Sequence, residues 1–231
     1  MNHYPNQVSV NGDVKTFPPG RIKIAEALRG LLEQKEFNAV TTAEIARSAG
    51  VTEALIYKYF KDKRDLLHQV LVEYLEKYHV QVREDLRGIK GALNKLRKLI
   101  WSHIQVYATN RVFARILLIE VRNHKDYYIS ETYERVKIYS STVLDILEEG
   151  AANREIRDDI SIKLARQVIL GSIEQVCLTG ITFDREIDPD HLTDAICDIV
   201  FRGIAREQTT APQNPRTPED GASEDGQRTE T

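Results

Sequence analysis

What most restricts this chain is where its interruptions fall. Its seven prolines and twelve glycines sit mostly at the two ends and at a few joints. The stretches between them carry apolar residues at helical rather than alternating spacing. An all-β fold needs frequent turn residues, so this pattern argues against one, and the fold class expected is all-α. From Arg21 the apolar positions Ile22, Ile24, Ala25, Leu28, Leu31 and Leu32 follow a helical repeat that ends near Phe37. Thr41 or Thr42 caps a second helix, with Glu44 in the first turn where the backbone dipole favours acid. Gly50 ends that helix, Thr52 caps a short third one through Tyr59, and a fourth runs from Lys63 to Tyr78. Further helices are expected over roughly 91–108, 111–122, 126–150, 160–180 and 189–205, the last opened by Asp188-Pro189.

With 42% hydrophobic residues the chain has enough apolar material for a core. The ends do not share it. Residues 1–17 read as a disordered arm, and 208–231, rich in Gln, Thr, Pro, Ser, Gly and acid, as a disordered tail. The first twenty residues hold no apolar run of the kind a secretory signal needs. Runs such as Ile116-Leu117-Leu118-Ile119 are far too short to span a bilayer. The expectation is a cytoplasmic protein with no membrane contact. Cys177 and Cys197 are too few for a disulfide scaffold and lack ligand spacing, so neither metal nor cofactor is expected. The net charge of −3 is unevenly spread: residues 20–68 hold nine basic against seven acidic side chains, whereas 208–231 hold two against five. This is a weak pointer to an anionic partner near the N-terminal end.

The informative run is Thr41 to Phe60. Two short helices meet at Ala49-Gly50-Val51, where Gly50 supplies the turn conformation and Ala46 lets the second helix cross closely. Ile45, Val51 and Ile56 point to a core shared with Leu28, Leu31 and Leu66. Thr52, Glu53, Leu55, Tyr57 and Lys58 are then expected on or near the outer face. This is a helix-turn-helix, whose second helix can lie in the major groove of B-DNA. Helix N-termini suit phosphate oxygens. Thr41 and Thr42 add hydroxyls, while Tyr57, Lys58, Lys61 and Lys63 add a phenol and ammonium groups.

The stretch "TTAEIARSAGVTEALIYKYFKDKRDLL" resembles the DNA-binding segment of the TetR (tetracycline-repressor) family of bacterial regulators. Thr42, Ile45, Ala46, Ala49, Gly50, Val51, Ile56, Tyr57, Tyr59, Phe60, Lys63 and Leu66 carry the match. The resemblance implies an Ω-shaped helical homodimer that represses transcription at an inverted-repeat operator in double-stranded DNA and lets go when a small molecule binds its larger domain. It divides the chain into a DNA-binding domain over 18–78 and a ligand-binding and dimerisation domain over 79–207. It also implies a phosphate contact for Thr42 and DNA-backbone contacts for Tyr57 and Lys63. Ala54 and Leu55 depart from the family, which has Gly and a small residue there. Base reading is assigned to Thr52, Glu53, Leu55 and Lys58, with Leu55 suited to a thymine methyl.

In the larger domain, Ile160, Leu164, Val168, Gly171, Ser172, Gln175 and Thr179 form one stripe, and Ile196, Ile199, Val200 and Ile204 another. These stripes either complete the monomer core or pair with a second copy. The run from Leu117 to Val176 is similar to the ligand-binding domain of fatty-acid-metabolism regulators within the same family. The likeness lies in Glu120, Arg122, Glu148-Glu149-Gly150, Ile156, Leu164-Ala165-Arg166-Gln167 and Gly171. It implies an acyl-coenzyme A effector, which requires an apolar tunnel with cations near its mouth. Trp101, Tyr107, Phe113, Arg115, Leu118, Arg122 and Tyr127 are the ligand-binding candidates, with Leu99, Ile104, Val106, Leu117 and Val143 as further lining and Arg111 as a further cation. A different hydrophobic or aromatic effector is the alternative. The six histidines show no metal spacing, and no nucleophile or acid–base constellation is visible, so no catalytic residue is assigned. The remaining class is a helical protein-interaction module without specific DNA binding.

Overall fold

The structure is a computed structural model that describes residues 7–8, 14–15 and 17–206. The helices are α1 (Pro19–Leu32), α2 (Thr42–Ala49), α3 (Glu53–Tyr59), α4 (Lys63–Leu86), α5 (Ala92–Thr109), α6 (Arg111–Arg115), α7 (Glu131–Ala152), α8 (Ile162–Phe183) and α9 (Pro189–Ile204). A π-helical turn, Ile116–Glu120, continues α6. Gln7–Val8 (β1) pairs antiparallel with Val14–Lys15 (β2), a small ribbon where no strand was expected. The rest of the N-terminal arm and the tail after Arg206 lie outside the described residues, and with them the expectation of disorder there.

Local chemistry sets most boundaries. Thr41, not Thr42, is the N-cap of α2: its hydroxyl accepts from the Glu44 backbone N–H, and Glu44 accepts from the Thr41 N–H in return. Gly50 ends α2 at φ 65°, a left-handed position that a side chain would strain. Asp62, Ser130, Ser161 and Asp188 cap α4, α7, α8 and α9. Thr52 occupies the N-cap position of α3, but its side chain makes no cap bond.

Ile24, Leu28, Ile45, Ile56 and Leu66 are fully buried, so α1, α2, α3 and the start of α4 share one core. Arg21 is buried with them. Its guanidinium donates to Glu73 at 2.6 Å and Gln69 at 2.8 Å and lies over the Phe17 ring, pinning the start of α1 to α4. The 24 residues of α4 form a rod about 36 Å long. It belongs to both parts of the molecule and passes unbroken through position 78. The second core lies among α4, α5, α7, α8 and α9. There α5 and α7 approach closely at Gly150: a β-carbon on it would stand 2.7 Å from Ala92 Cβ and 2.6 Å from Ile156 Cδ1. Among the described residues no helix is long and apolar enough to cross a membrane.

Candidate nucleic-acid interface and ligand cavity

The phase of α3 decides what it presents. At about 100° per residue, Ile56 and Phe60 turn into the core, while Glu53, Ala54, Tyr57 and Lys58 remain exposed, with Thr52 just before them. Leu55 differs from the outward placement expected for it. It is half-buried against α1, where a β-carbon on Gly20 would lie 3.0 Å from its Cδ2, and it shares that side with Tyr59. The physical reason is that the 55–59 pair lies one helical turn apart beside the buried edge.

The threonines and Lys63 are also engaged. Thr41 is held in the capping box, and the Thr42 hydroxyl donates to Glu53 Oε2 at 2.8 Å, tying α2 to α3. Lys35 pairs with Glu44 at 2.5 Å, and the hydrogen bonds of Lys35 and Thr41 pull the Glu44 carboxyl down to a pKa of about 2. Lys63 sends its ammonium inward. It donates to the carbonyls of Phe37 at 2.9 Å and Val40 at 2.6 Å and lies 4.4 Å over the Phe37 ring. Burial, reinforced by Arg64, lowers its pKa. Lys63 therefore fastens the α1–α2 connection instead of extending to solvent.

Above this head, two cavities meet along α4. The outer one, of about 440 Å³, opens between α1, α4, α5 and α6. Arg29, Glu33, Glu73 and Lys77 are among its polar lining residues, beside apolar groups such as Leu71, Val112 and Ile116. The inner one, of about 100 Å³, lies between α4, α5, α7 and α8. Tyr78, Val106 and Phe113 border both. The Tyr74 ring lies 3.8 Å from that of Phe113 beside this partition.

One side of the inner chamber is polar. Tyr78 donates to the Tyr139 hydroxyl at 3.4 Å, and Tyr139 Oη lies 3.1 Å from His103 Nδ1. Arg122, which borders the same chamber, donates through both terminal nitrogens to Glu174, each at 2.7 Å. Burial lowers His103 to about 4, so the ring is neutral at pH 7, and burial raises the pKa of Tyr78, Tyr107 and Tyr139.

Of the expected ligand residues, Tyr107, Phe113 and Arg122 come together on these cavities, with Val106 and Leu117. The others lie elsewhere. Trp101 faces the outside of α5, its indole N–H donating to Asp190 of α9 at 2.8 Å. Arg115 reaches down to α1, bonding the Leu32 carbonyl at 3.1 Å and pairing with Glu36 at 3.3 Å. Tyr127 is buried among Tyr128 and Tyr133. Leu118 is half-buried against the core, and Leu99, Ile104 and Val143 are fully buried in it. Arg111 bonds the Gly180 carbonyl and Asp184. Tyr78, Tyr139 and Glu174 were not singled out from the sequence. Tyr74 and Tyr78, four apart on α4, were the only signal that this face differs from an aliphatic core.

Residues 24–70 match the family described as "Bacterial regulatory proteins, tetR family", and 71–203 match "YsiA-like protein, C-terminal region". The chain belongs to the TetR family. It is therefore a transcriptional regulator of a DNA-binding family of regulators, not of enzymes. Among its TetR-family relatives is the "Fatty acid metabolism regulator protein" of Bacillus subtilis, 27% identical over 186 residues, covering 80% of this chain and 96% of the relative. The crystal structure of FadR from Bacillus subtilis in complex with stearoyl-CoA is also 27% identical. It superposes with a TM-score of 0.73 over 79% of this chain and 98% of that one. FadR from Bacillus halodurans, at 23% identity, shares the fold with a TM-score of 0.74, over 82% of this chain and 98% of that one.

Proposed function

We propose that this chain is a homodimeric repressor that binds an inverted-repeat operator and is released by a hydrophobic small molecule, best read as a long-chain acyl-coenzyme A. The observation that carries this reading is the placement of the outer cavity. It is bounded by the C-terminal half of α1 and by α4, two helices whose other ends hold the DNA-reading unit in place. A ligand that fits only when these helices spread favours heads set apart for a different spacing. It then lowers operator affinity by its differential affinity for the two states.

In the DNA complex, Thr52, Glu53, Tyr57 and Lys58 meet the major groove and its rims. Leu55 contributes by seating α3 on α1, and Thr41 and Thr42 bring the start of α2 to phosphate. Leu164, Val168, Gly171, Gln175 and Thr179 are exposed along one side of α8, with Leu164 at 58% and Val168 at 49%. On α9, Ile196, Val200 and Ile204 are buried in the monomer, but Ile199 is 75% exposed. The surface for the second copy is thus the α8 stripe with Ile199, and its two-fold axis matches a palindromic site. A cytoplasmic location goes with this role.

The test uses duplexes selected from a random pool by the purified protein. Palmitoyl-coenzyme A is expected to raise the melting temperature and to release the selected duplex in a gel shift. Neither effect appearing, with binding to selected DNA intact, overturns the acyl-thioester reading. Equal affinity for selected and random duplexes overturns the regulator reading in favour of an interaction module.

A further inference from the structure

The inner chamber is not built for the methyl end of a saturated chain. Leu75, Val106, Phe113 and Leu117 supply apolar walls. One side, however, carries hydroxyls and an imidazole that a hydrocarbon cannot engage. Tyr78 donates to Tyr139 only over a long 3.4 Å, and Tyr139 in turn reaches His103 at 3.1 Å. When the protons run in that order, the acceptor lone pairs of Tyr78 stand at the head of the chain. Tyr78 borders both cavities, and the Tyr139 hydroxyl it bonds borders the inner one alone, which places the Tyr78 oxygen on the inner chamber's side. Ser140 and the paired Arg122–Glu174 face the same space.

Burying polar groups costs free energy that hydrogen bonds must offset, and a site that fixes orientation in an otherwise apolar pocket does so with a few such groups. The chamber's roughly 100 Å³ takes the last few atoms of a chain or one six-membered ring. The alternative, that these polar groups only hold α4, α5 and α7 together, leaves the space beside them unexplained.

We infer that the effector is a hydroxylated acyl thioester, with a hydroxyl remote from the thioester seated in the inner chamber, where it donates to the Tyr78 oxygen at the head of the Tyr78–Tyr139–His103 chain. This rests on the acyl-thioester reading above and narrows it. The outer cavity takes the middle of the acyl group, and the thioester and nucleotide stay toward Arg29 and Lys77. The two sources of such an oxygen, a hydroxylated chain and a hydroxylated terminal ring, share this chemistry.

Calorimetric titration of the full chain separates the cases. The probes are palmitoyl-coenzyme A against 16-hydroxypalmitoyl-coenzyme A, and an ω-phenyl acyl-coenzyme A against its 4-hydroxyphenyl counterpart. In at least one pair the hydroxylated member is expected to bind about tenfold tighter or more, and the pair that discriminates identifies the source. In Tyr139→Phe and, separately, Tyr78→Phe, the preference for the hydroxylated member over its plain partner falls to about twofold, read as the ratio within each variant. Plain members binding as tightly as hydroxylated ones in both pairs overturns this inference and leaves the acyl-thioester reading standing. No binding by any of the four probes removes that reading, and this one with it. Should a variant fail to fold, the wild-type comparison alone decides.

Discussion

Replacing Lys63 by Met separates a structural lysine from a phosphate-binding one. The change keeps an unbranched apolar stem and removes the ammonium group. In the structure the ammonium bonds two carbonyls, those of Phe37 and Val40, at 2.9 and 2.6 Å. Both residues are themselves buried. Hydrogen bonds to a charged group contribute about 1.5–3 kcal/mol each. Because Lys63 is only half-buried, solvent screens the pair, and a total near 2 kcal/mol is the reasonable figure. For a domain of this size that lowers the melting temperature by about 4–8 °C. A phosphate contact predicts something different: stability unchanged, weaker binding to every duplex, and a salt-dependence slope reduced by about one per site. Thermal melts alongside DNA affinities measured across a salt series read both. Lys63→Met melting like the wild type while losing one unit of slope would refute the assignment of Lys63 to the α1–α2 connection.

Three further outcomes are expected. Gly150→Ala forces a methyl group against Ala92 and Ile156, and denaturant melts should show a loss of about 1–3 kcal/mol; an unchanged midpoint would mean that α5 and α7 separate freely. His79 and His103 are both held near 4 by burial, against an ordinary 6.5. The unfolded chain therefore takes up more protons between those values, and stability falls as pH drops from 6.5 toward 4, by up to about 1.4 kcal/mol per pH unit for each ring. Glu44 and Asp159, lowered from 4.5 and 3.8 to about 2, lose their contribution mainly below pH 5, so melts at pH 7 and 5 read chiefly the buried histidines, and His103→Phe should reduce the difference. Arg115→Ala cuts the tie from α6 to the Leu32 carbonyl at the end of α1. It should leave palmitoyl-coenzyme A affinity within about twofold yet weaken release of DNA severalfold; full release at the same ligand concentration would count against a coupling route through α1.

The helix-turn-helix was legible because everything that makes it is close in sequence. A left-handed Gly50, the Thr41–Glu44 capping box and the apolar positions at 45, 46, 49 and 56 specify two helices and the turn between them within some twenty residues. Family resemblance then extended that reading to a partner and a role. The ligand residues were harder. Tyr107 and Arg122 do line the inner cavity, but Tyr78 and Tyr139 are 61 positions apart, and Arg122 and Glu174 are 52 apart. Trp101 is large and aromatic, yet it borders a different cleft, between α5 and α9, where its indole N–H donates to Asp190.

From its residues alone, then, this chain specifies helices, caps, joints and the exposed turn of α3, since each depends on backbone torsions and hydrogen bonds within a few positions. Which side of α3 holds Leu55, where the Lys63 ammonium goes, and which tyrosines share a chamber were decided only when α1, α4, α5, α7 and α8 packed together. Those choices belong to side chains competing for the same space and the same buried acceptors. No local pattern records the outcome of that competition.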